Sequence, residues 1–262
     1  MNTEIGTDLS KALILLQSGQ TVAVPTETVY GLAADANNDD AVLDIFKAKG
    51  RPTSNPLILH FASLAQALPY IEVFPEVFQK LASVFCPGPL TFIVPKSSLV
   101  SPLITGGQDT VAIRFPKHPA LQELLSALGR PLAAPSANLY GQLSPTTATH
   151  VLEQLTGRIP YILDGGACWE GLESTIIGLE NERVLIYRHG GVTTEALAEV
   201  LGYNPAAKVH EHNGVLTSGM VKHHYATNTP LFLGFKPAAE NHNALQITIG
   251  KNELIAGPHL VL

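Results

Sequence analysis

The chain has 262 residues, of which 45% are apolar and 15% charged, and its formal net charge is −6 at pH 7. That length and apolar share are enough to bury a sizeable core. The negative net charge argues against a protein that binds nucleic acid through overall basicity, so any anion site must be local. The two cysteines, Cys86 and Cys168, have neither disulfide nor zinc-site spacing, which favours a reducing compartment.

The N-terminal segment combines acidic side chains with a short apolar helical period. Leu9 and Leu16 belong to this period, Asp8 or Ser10 can cap the helix, and Gly19 ends it. The segment lacks the basic region and long apolar stretch of a signal peptide or membrane span. We therefore expect a cytoplasmic protein that does not associate with a membrane.

Short apolar runs alternate with helical periods along most of the chain. Helices are predicted over about residues 39–49, 75–85, 118–128, 144–155 and 193–201. Strands are predicted at "TVAVP", "NPLILHF", "PLTFIVP", "TVAIRFP", "RPLAAPSAN", "YILDGG", "STIIGLE" and "RVLIYRHG". Because the strands are short and the alternation uneven, the pattern predicts an α/β (α+β) fold with a mixed sheet rather than a doubly wound one.

The composition changes after Tyr203, where turn formers and histidines replace the apolar periods. We expect a main domain over residues 1–203, a linker and candidate active-site lid over 204–230, and a C-terminal remnant over 231–262. The remnant is too short to hold a core alone. The adjacent His223 and His224 are more typical of a solvated linker than of a metal site, and we predict no protein metal site.

Polar side chains gather at the ends of the predicted strands, where open α/β sheets place their ligands. Five clusters share this position: Thr26, Thr28 and Tyr30; Lys49, Arg51, Asn55 and His60; Thr110 and Arg114; Ser136, Asn138 and Ser144; and Glu173, Ser174 and Thr175 with Arg188. Lys49 and Arg51 flank Gly50, so both could reach one polyanion, or both could only favour the negative end of a helix. The common phosphate-loop, hydrolase and zinc-protease motifs do not occur in the sequence.

Arg114 lies inside an apolar strand, where a buried guanidinium needs an anionic partner. Glu27, Glu173 or Asp109 could supply the carboxylate, and so could a ligand, and the sequence does not choose among them. The clusters together predict a pocket of hydroxyls and cations, suited to a small ligand with carboxylate and phosphate groups. Spacing alone does not name the reaction.

Several motifs together identify a resemblance to a known family. They are "PTETVYGL", "KAKGRPTSNPLILH", "CPGPLTFI", "DTVAIRFPKHP", "AAPSANLYGQLSPT", "DGG" and "GLESTII", which occur in this order. They resemble the YrdC-like family, the threonylcarbamoyl-AMP synthases, and "TSGMVKHHYATNTPLFL" looks like the linker of its longer members. The resemblance implies a YrdC-like twisted open mixed sheet with flanking helices and a concave substrate pocket. Cys86 and His189 depart from the tryptophan and proline usual in the family, and the C-terminal domain looks truncated.

The resemblance also implies a reaction. Such a nucleotidyltransferase uses L-threonine, bicarbonate and ATP to make L-threonylcarbamoyladenylate and pyrophosphate, for the N6-threonylcarbamoyladenosine of tRNA. Mg²⁺ is expected with ATP, and the tRNA threonylcarbamoyl-transferase machinery is the expected partner, with weak or no direct binding of nucleic acid. Two alternatives are an RNA-binding module of the same fold without synthase activity, and a carbamoyl-transferring relative of hydrogenase maturation whose extra domains this sequence lacks.

The same resemblance assigns roles to individual residues. Lys49 and Arg51 match the catalytic signature. The threonine-binding positions match Thr28, His60, Arg114, Ala134 and Ser174. The nucleotide-binding positions match Arg51, Asn55, Thr110, Ser136, Asn138, Ser144 and Arg188. Tyr225 is a candidate lid residue. We further expect Glu27 to orient Arg114, and Thr26 and Tyr30 to shape the same cavity.

Overall fold

The computed structural model of the chain describes residues 2–208, 246–248 and 259–261. The chain divides into two compact units, Met1–Ala226 and Thr227–Leu262. In the second unit, Gln246–Thr248 and His259–Val261 form a parallel pair of strands. The expected linker and remnant, with Tyr225, lie largely outside the described residues, so the boundaries at 203 and 230 stay predictions.

One mixed sheet forms the centre of the first unit as far as it is described. Its strands are β1 (Glu4–Gly6), β2 (Val22–Val24), β3 (Gly31–Asp35), β4 (Ile58–His60), β5 (Leu90–Pro95), β6 (Thr110–Arg114), β7 (Leu132–Ala133), β8 (Tyr161–Leu163), β9 (Thr175–Glu180), β10 (Arg183–Arg188) and β11 (Ala206–Ala207). Their order across the sheet is β1-β8-β2-β3-β7-β4-β6-β5-β9-β10-β11. Pairs such as β4 with β6 are parallel and pairs such as β5 with β6 antiparallel, which confirms the predicted mixed sheet.

The helices follow the predicted periods closely. They are α1 (Leu9–Gln17), α2 (Asp39–Lys49), α3 (Leu64–Ala67), α4 (Glu76–Phe85), α5 (Pro102–Thr105), α6 (Pro119–Leu128), α7 (Ala148–Leu155) and α8 (Thr194–Leu201), with a 3₁₀ turn at Leu68–Tyr70. Asn38 caps α2 by accepting hydrogen bonds from two backbone N–H groups, and Gly50 ends it at φ 64°. Because glycine adopts this left-handed conformation without a Cβ clash, the chain turns sharply between Lys49 and Arg51.

Helices cover both faces of the sheet. Successive residues of β2 and β3 pack into different clusters: Ala23 and Leu32 belong to the larger core, whereas Val22 and Ala33 belong to the smaller one. The smaller core contains buried leucines of α1 and α6, and the larger contains buried residues of α2, α4, α7 and α8. Since side chains of a strand alternate between faces, the two clusters lie on opposite sides of the sheet. No helix in the described part of the chain has the length and apolarity needed to cross a membrane.

The predicted boundaries of one helix and one strand are wrong because contacts with distant parts of the chain change them. The helix expected from Ser144 starts at Ala148 with Thr147 as its cap. The Ser144 hydroxyl donates instead to Glu173, at 2.6 Å, and the Pro145 carbonyl accepts the Tyr30 N–H at 2.8 Å. Of the strand expected over "RPLAAPSAN", only β7 forms. The residues after it continue as a loop beside β3, where Ser136 forms an isolated bridge with Gly31.

Candidate active site

A pocket of about 530 Å³, including the part open to solvent, lies where several strands end. The pocket is lined by these predicted site residues: Thr28, Arg51, His60, Arg114, Ala134, Ser136, Ser174 and Arg188. Thr26 and Glu173 also line it. The sequence clusters therefore come together, although Lys49, Asn55, Thr110, Asn138 and Ser144 lie outside the lining.

Strand register explains why His60 and Arg114 share the pocket. Parallel strands β4 and β6 end at these two residues, which are direct register partners. Neighbouring strands lie about 4.8 Å apart, so the two side chains originate side by side at the carboxyl ends of these strands. Thr110 begins β6, four residues before Arg114, and is therefore roughly 13 Å from it along the strand. Its predicted nucleotide role stays a prediction.

The "PTETV" turn presents hydroxyls to the pocket. The Thr26 Oγ1 atom accepts the N–H groups of Thr28 and Val29, at 3.0 and 3.1 Å, and donates to the Val29 carbonyl at 2.7 Å. The two threonine hydroxyls are 2.8 Å apart. Because local hydrogen bonds of Thr26 fix this turn, Thr28 is held with its side chain in the pocket lining.

Arg114 finds its protein partner in Glu27. A terminal nitrogen of its guanidinium donates to Glu27 Oε1 at 2.8 Å and to Thr28 Oγ1 at 2.9 Å. The side chains are 5% and 0% exposed, so water does not screen this ion pair. Of the partners that the sequence left open for Arg114, the structure therefore selects Glu27. The Arg114 Nε atom, by contrast, is buried and has no hydrogen-bond partner among the described residues.

His60 is a buried and neutral group beside this arginine. Burial, and then the charge of Arg114, lower the pKa of His60 to about 3, while the carbonyls of Ile58 and Leu132 act in the opposite direction. Its Nδ1 atom makes no hydrogen bond of proper geometry within the described chain. Two buried polar nitrogens without partners thus belong to residues of one pocket, which is the arrangement expected where a ligand completes the hydrogen bonding.

Lys49 lies beneath the pocket rather than in its wall. Its Nζ donates to the carbonyls of Ser136 and Asn138, both at 2.5 Å, and lies 3.4 Å from Asn138 Oδ1. The side-chain amide of Asn138 donates in turn to the Leu139 and Gln142 carbonyls. Burial, and then the charge of Arg51, lower the pKa of Lys49 well below its usual value. The lysine therefore fixes the loop that carries Ser136, and its catalytic role stays a prediction.

A separate, cationic region surrounds Arg51 and Arg188. Arg51 donates to the Pro56 carbonyl at 3.0 Å, and the Asn55 amide donates to the Tyr140 hydroxyl at 3.0 Å. Burial lowers the pKa of Arg51 to about 10, Tyr140 acts in the opposite direction, and Arg188 lowers it further. Two guanidinium groups that repel each other in one pocket favour a ligand with several negative charges.

Ser174 connects the two halves of the pocket. Arg188 donates to the Ser174 carbonyl from Nε, at 3.0 Å, and to its hydroxyl from a terminal nitrogen, at 3.0 Å. The Ser174 hydroxyl is also 2.7 Å from the buried hydroxyl of Thr91. Glu173, the preceding residue, holds the Ser144 hydroxyl. The strand β9 therefore begins with a polar cluster that reaches both regions.

Tyr30 does not shape the cavity as expected. It is wholly buried, and its hydroxyl donates to the Gly166 carbonyl at 2.7 Å and accepts the Gly165 N–H at 3.2 Å. The "DGG" loop thus satisfies the buried hydroxyl, and Tyr30 is not among the residues that line the pocket. Tyr30 is therefore a structural anchor, whereas Thr26 does line the pocket.

Both cysteines remain protonated thiols near neutral pH. Burial raises the pKa of Cys86 to about 12 and that of Cys168 to about 11. A thiol must ionise to act as a nucleophile. In the described residues no three His, Cys, Asp or Glu side chains are grouped to hold a metal ion.

Comparison with known proteins decides the family. The family model of the Sua5/YciO/YrdC proteins, described as telomere recombination, matches residues 14–190. The chain belongs to the Sua5/YciO/YrdC family. This confirms the resemblance inferred from the motifs, and the pocket lies within the matched segment because Thr26 and Arg188 are its first and last lining residues.

Two curated relatives of this Sua5/YciO/YrdC protein share the name threonylcarbamoyl-AMP synthase. The threonylcarbamoyl-AMP synthase of Pyrococcus abyssi is 42% identical over 239 residues, which are 90% of this chain and 70% of that protein. That of Bacillus subtilis is 43% identical over 231 residues, or 85% of this chain and 65% of that protein. The crystal structure of P. abyssi Sua5 complexed with L-threonine has a TM-score of 0.88 at 35% identity, and covers 100% of this chain and 83% of that one.

Sequence reasoning missed some polar residues of this Sua5/YciO/YrdC site. Thr91 is 0% exposed inside "PLTFIVP", and Tyr140 binds the Asn55 amide. A lone threonine in an apolar strand was the available signal for Thr91, because a buried hydroxyl needs a partner. Nothing in the local pattern indicated Tyr140, whose role depends on the contact between two distant loops.

Proposed function

We propose that the chain is a threonylcarbamoyl-AMP synthase, which makes L-threonylcarbamoyladenylate and pyrophosphate from L-threonine, bicarbonate and ATP. The observation that carries the proposal is that one pocket contains two different arginine-bearing regions. Arg114 and His60 offer buried nitrogens without partners, and Arg51 and Arg188 form the other region. Membership of the family and the likeness to the threonine-complexed Sua5 support the same reaction.

The threonine carboxylate would bind at the Arg114 end. A guanidinium is suited to carboxylates, and the neutral imidazole of His60 adds a hydrogen bond without adding charge. Thr28 and Ser174 supply hydroxyls there, and Ala134 adjoins them in the pocket lining. These groups would hold the amine of threonine toward the second region, where its nitrogen bonds to the carbon of bicarbonate while a C–O bond of bicarbonate breaks and water leaves, which gives the carbamate.

The triphosphate would bind at the Arg51 and Arg188 end, beside the Ser136 loop that Lys49 fixes. A carbamate oxygen then attacks the α-phosphorus, forms a new P–O bond and expels pyrophosphate. Such phosphoryl chemistry depends on positioning and charge neutralisation rather than on a protein nucleophile. The raised pKa values of both thiols agree with this requirement. Asn55, Thr110, Asn138 and Ser144 complete the proposed nucleotide assignment.

Mg²⁺ is proposed to enter with ATP. Glu173 is a carboxylate in the pocket lining, and the Ser144 hydroxyl holds it in place. Mg²⁺ is usually bound through one or two carboxylates with phosphate oxygens and water, so this donor set fits the ion. When bound, the ion would neutralise charge on the phosphate oxygens.

The proposed partners follow from the product. An acyl adenylate is a reactive anhydride, so a transferase that passes its threonylcarbamoyl group to tRNA adenosine is the proposed recipient, in the cytoplasm. The net charge of −6 disfavours strong direct binding of nucleic acid. No observation on the described residues favours the RNA-binding alternative.

Incubation with ATP, L-threonine, Mg²⁺ and labelled bicarbonate tests the proposal directly. We expect pyrophosphate and a labelled threonylcarbamoyl adenylate, both dependent on threonine. Parallel reactions without threonine and without bicarbonate are the controls. Absence of both products from the complete mixture would refute the proposed reaction.

A further inference from the structure

Glu27 connects several segments around the pocket. Its Oε1 accepts from Arg114, its Oε2 accepts the Lys117 N–H at 3.0 Å, and its backbone carbonyl accepts the Glu170 N–H at 3.0 Å. The residue is 0% exposed and does not itself line the pocket. It therefore acts on any ligand only through the groups that it holds.

Both carboxylate oxygens of Glu27 are acceptors with separate donors. A glutamine side chain has the same shape but only one acceptor oxygen, and its amide group donates. In either orientation of a glutamine, the amide would face the Lys117 N–H or the Arg114 guanidinium, donor against donor. Both the hydrogen-bond pattern and the negative charge at position 27 therefore require a carboxylate.

Glu27 also determines which part of the guanidinium is left for a ligand. Glu27 Oε1 and Thr28 Oγ1 both bind the same terminal nitrogen of Arg114. The Nε atom on the same side chain remains buried and without a partner. Because the guanidinium is planar and rigid, fixing one nitrogen from two directions fixes the direction of the others.

We propose that Glu27 is a positioning residue for the carboxylate of the amino-acid substrate: it holds the Arg114 guanidinium so that its remaining N–H groups bind that carboxylate. The inference rests on the proposed function. The expected signature is selective, because Glu27 acts only on the carboxylate end of the ligand. Recognition of the amine and hydroxyl of threonine should not depend on it.

L-threoninol, in which a hydroxymethyl group replaces the carboxylate, separates this role from general damage. Calorimetric titrations of the full chain with L-threonine and L-threoninol give a ratio of affinities. We expect wild-type protein to favour threonine by about 100-fold, and Glu27→Gln to lower that ratio by about 10-fold or more, as for loss of a charge-assisted hydrogen bond. The affinity for threoninol should stay within about twofold.

Tyr30→Phe is the matched control, because Tyr30 is equally buried, lies three residues away and contacts the "DGG" loop rather than Arg114. A structural disturbance alone would change both affinities together, and this variant should keep the wild-type ratio. If Glu27→Gln also keeps the wild-type ratio, the inference is refuted while the proposed function stands. If wild-type protein binds neither ligand, the proposed function fails and the inference with it.

A second comparison keeps the test decisive if Glu27→Gln does not fold. The double variant Glu27→Gln/Arg114→Gln contains no unpaired charge, and it is compared with Arg114→Gln alone. Since Glu27 acts through Arg114, its removal should not lower the ratio of affinities any further once Arg114 is absent, and the carboxylate left unpaired in Arg114→Gln can only disfavour the threonine carboxylate. A lower ratio in the double variant would show that Glu27 acts independently of Arg114, which overturns the proposal.

Discussion

Replacing Arg114 by glutamine should destabilise the fold in a pH-dependent way. The substitution removes the cation from an ion pair whose members are 5% and 0% exposed, at a distance of 2.8 Å. Glu27 then keeps the Lys117 N–H as a partner but loses its counter-charge. An uncompensated buried carboxylate is among the most unfavourable arrangements in a protein interior.

The expected loss is large relative to total stability. Removing one partner of a buried ion pair costs about 3–5 kcal/mol, whereas domains unfold with about 5–15 kcal/mol. The neutral double variant Glu27→Gln/Arg114→Gln leaves no buried charge at this position, so it should recover much of that loss.

The sign of the pH dependence follows from proton binding. A carboxyl buried without a cation keeps its proton to higher pH than a carboxyl in water. Between about pH 5 and pH 8, folded Arg114→Gln therefore binds more protons than its unfolded chain, and its free energy of unfolding falls as pH rises. Relative to the double variant, the single variant should be most destabilised at the upper end of this range.

Denaturant unfolding of both variants, followed by circular dichroism at several pH values, measures this difference. The double variant also lacks Arg114, so contributions from His60 and other groups cancel in the comparison. Equal stability of the two variants across the whole range would refute the reasoning that Glu27 depends on Arg114 for its charge.

Two further predictions concern neighbouring groups. Because the pKa of His60 is lowered from 6.5 to about 3, threonine affinity should show no inflection near 6.5; an inflection there that disappears in His60→Gln would contradict this. Lys49→Met should weaken ATP binding but not threonine binding, since Lys49 holds the Ser136 carbonyl. Titration with each ligand checks this, and lost turnover with unchanged ATP affinity would indicate a direct catalytic role. Between the lowered pKa of folded Lys49 and 10.5, unfolding takes up a proton, so over this range wild-type stability should rise more with pH than that of the variant.

Local patterns predicted most of the secondary structure because apolar periodicity and capping residues are local properties. The period over 39–49 and the glycine after it define α2 as observed. Strand β3 was missed, since "GLAAD" is short and contains glycine, and only its neighbours β2 and β7 make it part of the sheet. The start of α7 was wrong because Ser144 has a better partner in Glu173 than in the helix.

The residues that form the site were largely predictable from the sequence, whereas the partners with which those residues form hydrogen bonds and ion pairs were not. A buried strand arginine requires an anion, which the sequence indicates, but three carboxylates and a ligand remained open as its partner. The choice of Glu27 depends on the close approach of the "PTETV" turn to the end of β6, a long-range contact. Tyr30 was misplaced for the same reason, because its partners lie in a loop far along the chain.

The hydrogen bonds from Lys49 to the Ser136 loop affect how this protein tolerates amino-acid substitutions in that loop. The main contacts of its Nζ atom are to backbone carbonyls of Ser136 and Asn138, atoms that every amino acid possesses. The loop is thus anchored independently of the side chain at position 136. Substitutions at position 136 should therefore change the side chain that is presented to the pocket while the loop keeps its path.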